Sequence, residues 1–327
     1  MHVPGPLDEP ALSDAELIER GWAALPAEYR IPAVPPSLAE AQAWCKRLAE
    51  SHYENFHVAS LFLPKRLRTD FHSIYAYCRI SDDLGDEVGD AEQSLALLNL
   101  WGQELDACYE GNARHPVFVA LAETIRKCAI PKEPFADLLV AFRQDQTVTR
   151  YQTMDDVLAY CRYSANPVGR LVLYACGYRD EELFRLSDFT CSALQLANFW
   201  QDVREDFDRG RVYLPFADMQ SCGVDEATIA AGKMTPEFRE LMRLVVDYAR
   251  RMFAEGLPLI GMVDRELAVD LDLFSRGGLA ILSAIEQRGY DVLSGRPAIS
   301  RPKKAALLLR AVAGKLLPRR SASGTAL

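Results

Sequence analysis

An all-α, single-domain fold is what this sequence predicts, and three observations carry that expectation. From about residue 37 to residue 317 apolar side chains recur at spacings of three and four, the period of a helix with one buried face. Helix start and stop residues punctuate the same stretch. No convincing alternating run of the kind a half-buried strand needs appears beyond a possible stub at Val212–Leu214, and no repeat of fixed period is present. With 327 residues, 49% of them hydrophobic, the chain can bury one large core, although length alone would permit two domains.

Taken in order, residues 1–36 hold seven prolines and read as a loosely held segment with one short helix from the capping box Ser13-Asp-Ala-Glu16. Pro32, Pro35 and Pro36 form a linker. A second capping box, Ser37-Leu-Ala-Glu40, opens the first core helix of a domain expected to span residues 37–318, with 319–327 as a tail. Further starts fall at Asp70, Asp90, His115-Pro116, Thr153-Met-Asp-Asp156 and Thr235-Pro236-Glu237, and stops at Gly111, Gly177 and Gly210. Pro167 predicts a kink, because proline removes one helical hydrogen bond and frees carbonyls. Residues 216–234 read as a looser polar insertion. Helices over 235–255 and 265–290 follow, the second with a close-approach or kink site at Gly277-Gly278.

Composition excludes several functions. A formal net charge of −9 is the wrong sign for a nucleic-acid binder, whose affinity rests on basic groups meeting phosphates. Eight cysteines without a C-x-x-C pair, and no secretory leader, read as buried thiols of a reduced cytoplasm. No apolar run reaches the roughly 18 residues that span a bilayer. Residues 296–320 are different: eight basic residues and no acidic one, around the apolar stretch 305–317. That pattern suits peripheral attachment to anionic lipid at the inner face of a membrane.

The chemistry lies in two helical faces. In Gln195-Leu-Ala-Asn198-Phe-Trp-Gln-Asp202-Val-Arg-Glu-Asp206, a rotation of about 100° per residue puts Gln195, Asn198, Asp202 and Asp206 on one side of a helix. Taken alone this is a solvated acidic face. Upstream, however, Tyr75, Arg79, Asp82 and Asp86 share a face in the same way, about 120 residues earlier. Arg79 could be a simple salt-bridge partner of Asp82 or Asp83. Two D-x-x-x-D faces brought together would repel, and a Mg²⁺ cluster on a diphosphate would neutralise them. Glu54 and His57 form a Glu-x-x-His pair, but a di-iron bundle needs a second, which is missing.

Arg79-x-x-Asp82-Asp83-x-x-Asp86-Glu87, with Gln195-x-x-Asn198-x-x-x-Asp202-x-x-x-Asp206, resembles the squalene/phytoene synthase family of head-to-head prenyl synthases. The likeness covers most of residues 50–305 and includes Tyr160-Cys-Arg-Tyr163 and Gly210-Arg-Val-Tyr213-Leu-Pro215. It implies an all-α isoprenoid-synthase bundle around a central apolar channel. Asp82 and Asp86 on one wall and Asp202 and Asp206 on the other would hold Mg²⁺ against a prenyl diphosphate. Tyr160 matches the tyrosine that family members place near the departing diphosphate.

Within the family, Glu54-Asn55-Phe56-x-Val58-Ala59-Ser60 and Ser164-Ala165-Asn166-Pro167-Val168-Gly169 resemble bacterial hydroxysqualene synthases of hopanoid pathways. The implied reaction ionises presqualene diphosphate and captures the rearranged cation with water. Arg79, Tyr160, Gln195, Asn198 and Phe56 are the candidate catalytic residues. Tyr75, Glu54, Asn55, Tyr163, Arg211, Arg301 and Lys303 are candidates for substrate contact. Phe56, Tyr75 and Tyr163 could each stabilise a carbocation by about 0.5–2 kcal/mol through their ring faces. Enzymes of the same pathway are candidate partners. The alternatives are head-to-head condensation to presqualene diphosphate, squalene or phytoene, and a non-catalytic scaffold, which intact aspartates disfavour. No nicotinamide is required, since the step is a hydration and no G-x-G-x-x-G follows a strand.

Overall fold

The computed structural model describes residues 12–51 and 65–316. Sixteen α-helices follow in order among them: α1 (Asp14–Ala24), α2 (Leu38–Ser51), α3 (Arg68–Asp86), α4 (Ala91–Tyr109), α5 (Pro116–Cys128), α6 (Glu133–Gln144), α7 (Met154–Ser164) and α8 (Asn166–Ala175), then α9 (Glu181–Gln201), α10 (Val203–Asp208), α11 (Phe216–Ser221), α12 (Glu226–Ala230), α13 (Pro236–Gly256), α14 (Leu259–Met262), α15 (Arg265–Gln287) and α16 (Arg301–Leu316). The β content among the described residues is one isolated parallel bridge, Arg150 to Val212, at the expected stub. No described helix is long and apolar enough to cross a membrane.

Apart from Asp70, the caps form as the sequence predicts. Asp90 Oδ1 accepts from Gln93 N at 2.9 Å, and Thr153 and Asp156 exchange hydrogen bonds in a complete capping box. Such caps each hold about 1 kcal/mol of helix stability. Gly111, Gly177 and Gly210 have φ of +85°, +92° and +82°, as helix-ending residues in left-handed conformation do.

Several expectations fail locally. Helix α3 begins two residues before Asp70, which is buried and accepts from Lys127 Nζ at 2.6 Å and Thr124 Oγ1 at 3.3 Å. An interior tie between α3 and α5, not a cap, explains that acid. Part of the N-terminal segment is packed, not loose, because Trp22, Leu25 and Tyr29 are buried in the core. The 216–234 insertion folds into α11 and α12. Pro167 does not kink a continuous helix: the chain breaks at Ala165 (φ −111°, ψ −47°), and Pro167 sits in the first turn of α8, where a missing N–H is harmless.

The core has two main bodies. One gathers α1–α6 and part of α8 around Trp22, Phe71, Tyr77, Ile80, Trp101 and Phe118. The other surrounds α9 with α7, α13 and α15, around Leu196, Trp200, Phe238, Val246, Phe253 and Leu282. Helix α9 packs on α8, α13 and α15 at once. Two glycines permit this crowding: a Cβ on Gly169 would overlap Ser187 Oγ, and one on Gly278 would overlap Phe253 Cζ. Gly278 is therefore a close-approach site in an unbroken helix. Each core body anchors one acidic face, α3 in the first and α9–α10 in the second.

Candidate active site

On α3, buried Ile74, Tyr77, Ile80 and Leu84 fix the helix rotation, and the opposite side carries Tyr75, Arg79, Asp82 and Asp86. Arg79 is not free. Its guanidinium forks onto Asp83, with Nε 3.0 Å from Oδ2 and Nη2 on Oδ1, while Nη1 lies 3.7 Å from Asp82. Asp83 is buried and also accepts the Tyr29 hydroxyl at 2.8 Å. Arg79 is thereby held as a fixed cation beside Asp82 by the buried acid next to it in the motif, Asp83.

On the second wall the helix face holds but the helix does not run straight through. Helix α9 ends at Gln201, Asp202 takes φ −105° and ψ 14°, and α10 resumes at Val203. Bonds from Asp202 N to Asn198 O (2.9 Å) and Asp206 N to Asp202 O (2.8 Å) keep the phase across the break. Gln195, Asn198, Asp202 and Asp206 therefore still form one row. Gln195 is half-buried and Asn198 exposed.

Two arginines reach these rows from connections. Arg211 follows α10, held by its own N–H to Asp206 O at 2.8 Å and by Val212 N to Thr149 O at 2.9 Å. Its Nη2 donates to Asp86 Oδ1 at 2.9 Å, which joins the two walls directly. Arg296 lies in the connection before α16, which the Gln201 side chain holds by donating to Pro297 O. Its guanidinium covers Asp202, with Nη2 2.9 Å from Oδ2 and Nε on Oδ1.

Within each wall the carboxylates disfavour one another's charge. Burial, then the neighbouring Asp86 charge, pushes the Asp82 carboxyl up to about 6. Burial, then Asp202, pushes Asp206 up to about 7. The Tyr213 hydroxyl is raised by burial and then by Asp145, and it also feels Asp206 from one wall and Asp86 from the other. Oxygen-only donors in partly exposed, mutually repelling pairs fit a hard divalent cation. Among the described residues no three His, Cys, Asp or Glu side chains converge into a cage of their own. An ion held here would complete its shell with water or substrate oxygens, the usual habit of Mg²⁺.

Tyr160 lies in this region, buried among Tyr151, Phe199 and Tyr213 at ring-centroid distances of 5.7, 6.1 and 6.0 Å. Its hydroxyl donates to Asp145 Oδ2 at 2.9 Å. Tyr75 is half-buried within the field of Arg79, Asp83 and Asp82. Tyr163 is half-buried against the second core, with the Arg162 guanidinium 5.7 Å from its ring. Arg301 and Lys303 are exposed on α16, and among the described residues no ion pair joins them to the acidic walls. The basic residue that reaches from this region is Arg296 instead. Glu54, Asn55, Phe56 and His57 lie outside the described residues.

Asp145 and Arg296 are the two participants that the sequence did not single out. Both sit in connections, where no periodicity marks a face. The one signal for Arg296 was its place at the head of the basic stretch.

The squalene/phytoene synthase profile matches residues 49–303 of this chain. The phytoene synthase of Thermus thermophilus is 31% identical over 276 residues, covering 84% of this chain and 93% of the relative. That of Arthrospira platensis is 29% identical over 287 residues, covering 83% and 92%. Among solved structures, squalene synthase HpnC from Alicyclobacillus acidocaldarius is 44% identical, with a TM-score of 0.75 over 83% of this chain and 99% of that one. A dehydrosqualene synthase in complex with ligand shares the fold at 24% identity, with a TM-score of 0.73 over 84% of this chain and 96% of that one. This chain belongs to the squalene/phytoene synthase family.

Proposed function

We propose that this protein converts presqualene diphosphate and water to hydroxysqualene and diphosphate, as a Mg²⁺-dependent step of squalene or hopanoid synthesis. The observation that carries the reading is Arg211, whose side chain donates to Asp86 of one carboxylate row while its own N–H bonds to Asp206 O of the other. Mg²⁺ on those carboxylates supplies charge stabilisation for the departing diphosphate. Arg211 and Arg296 each hold a carboxylate in the substrate-free site and are placed to turn to phosphate oxygens when a diphosphate enters. Arg79, fixed by Asp83, keeps a positive charge beside Asp82. Gln195 and Asn198 continue the row along α9 away from the aspartates, toward the side where the reacting carbons would lie. Apolar walls hold bulk water off the cation until one molecule attacks.

The choice of hydration rests on the segments Glu54–Ser60 and Ser164–Gly169, while 44% identity to a protein named squalene synthase, against 31% and 29% for the two phytoene synthases above, supports squalene-type over phytoene-type substrates. Condensation of two prenyl diphosphates is the second reading, since those phytoene synthases align over most of the chain. Purified protein with Mg²⁺ is to be incubated separately with presqualene diphosphate and with farnesyl diphosphate. Hydroxysqualene from the first alone is expected. A cyclopropyl or longer product from farnesyl diphosphate would establish condensation, and inertness toward both would leave a scaffold.

A peripheral lipid contact belongs to the same proposal. Helix α16 buries Ala311 and exposes Leu309 (69%), Leu308 and Val312 beside Arg310. Co-sedimentation with phosphatidylglycerol vesicles, lost on Leu309→Glu, tests it.

A further inference from the structure

Asp145 is a half-buried acid that neither aspartate motif contains. It follows α6 directly, and its Oδ2 accepts the Tyr160 hydroxyl at 2.9 Å. Its Oδ1 is also buried, and no described residue donates to it. The charged groups in its field are Arg211, Asp86 and Asp82, so it stands beside the clamp. An orphan buried acceptor is unfavourable for an ionised carboxylate, and taking up a proton eases that cost. This one is held at the site with one oxygen on Tyr160 and the other open.

The pairing has a chemical use. A phenol can take a proton from a captured water only if it passes its own proton to a base. Tyr160 already points its hydroxyl proton at a carboxylate.

We propose that Asp145 is the positioning residue for Tyr160 and the final acceptor of the proton released when water captures the cation. The proposal rests on the hydration reading above. A lone pair of water forms the C–O bond to the cationic carbon, giving a protonated alcohol. One O–H bond of that group breaks and its proton moves to the Tyr160 oxygen. The phenolic proton passes along the existing hydrogen bond to Asp145 Oδ2. Product and tyrosine end neutral, Asp145 ends as the neutral acid, and its proton returns to solvent when the site opens. No oxidant or reductant is consumed.

The test is the ratio of hydroxysqualene formed to diphosphate released from presqualene diphosphate with Mg²⁺, for wild type, Asp145→Asn, Asp145→Glu and Tyr160→Phe. The ratio should fall at least tenfold in Asp145→Asn and Tyr160→Phe, with non-alcohol C30 products making up the balance, and recover in Asp145→Glu. Should Asp145→Asn not fold, the Asp145→Glu and Tyr160→Phe ratios decide. A ratio equal to wild type in folded Asp145→Asn overturns the proposal, even where both quantities drop together, because a binding or structural role would move them in parallel. A wild-type protein that makes no alcohol removes the hydration reading itself, a result distinct from the first.

Discussion

Arg211 donates from Nη2 to Asp86 Oδ1 at 2.9 Å, spanning 125 residues of sequence. That ion pair ties the wall built on α3 to the wall built on α9 and α10. Its proton is held more tightly than in a free arginine: desolvation opposes the charge, but the bond to Asp86 and the field of Asp145 outweigh it. Both partners keep a solvent-exposed fraction, 25% and 42% of their side chains, so the pair itself adds little to stability. Its value is placement of a cation between two acidic rows.

Replacing Arg211 by Gln should therefore separate binding from folding. KM for the prenyl diphosphate is expected to rise by about tenfold or more, the worth of one charge-assisted contact. The melting temperature should move by no more than a degree or two. Steady-state kinetics and a thermal melt on the same preparation check this, and a large fall in melting temperature would assign Arg211 to the scaffold instead.

Asp82→Asn and Asp202→Asn should each lower diphosphate release by about 100-fold or more, as loss of a transition-state charge contact does. Stability should hold or rise in Asp82→Asn, because burial and the Asp86 charge already disfavour the ionised form. An inactive, destabilised Asp82→Asn would mean that this carboxylate serves the fold.

Much of this site was legible in the sequence, and the reasons for the exceptions are physical. Helical period alone put Asp82 with Asp86 and Asp202 with Asp206, and the break at Asp202 did no harm because the hydrogen-bond ladder carries the phase across it. The partner of Arg79 was ambiguous, since Asp82 and Asp83 are both within its reach at helical spacing. Burial decides it, through Tyr29 from a segment whose prolines suggested looseness. Asp145 and Arg296 act from connections, and only the folded chain brings them to the aspartates.

His115 gives the stability a pH slope. Its Nδ1 accepts from Val117 N at 3.2 Å to cap α5, and burial lowers its pKa to about 3. Between about 6.5 and 3 the unfolded chain binds a proton that the folded histidine refuses, so stability is lost as pH falls through that window. His115→Asn keeps a capping oxygen and should flatten the slope. Chemical denaturation at pH 7 and pH 5 measures it, and an unchanged slope would rule out this residue as the cause.

The two adjacent glycines of α15 should respond in opposite directions. At Gly278 a Cβ would overlap Phe253 Cζ and come within 2.9 Å of Leu194 Cδ2, so Gly278→Ala is expected to destabilise by about 1–3 kcal/mol. Nothing lies within 4 Å of a Cβ on Gly277, so Gly277→Ala should stabilise by about 0.5–1 kcal/mol through backbone entropy alone. Urea midpoints of the two variants compare them. Equal effects would mean that α9, α13 and α15 do not meet as closely as described.

The most direct test of the two-walled clamp is calorimetric titration of the substrate-free protein with inorganic diphosphate, with and without Mg²⁺. The account predicts tight binding only when Mg²⁺ and diphosphate are both present, lost in Asp82→Asn and in Asp202→Asn alike, since one ion cluster needs both walls. Diphosphate binding that is indifferent to Mg²⁺, or that survives removal of either aspartate, would contradict it.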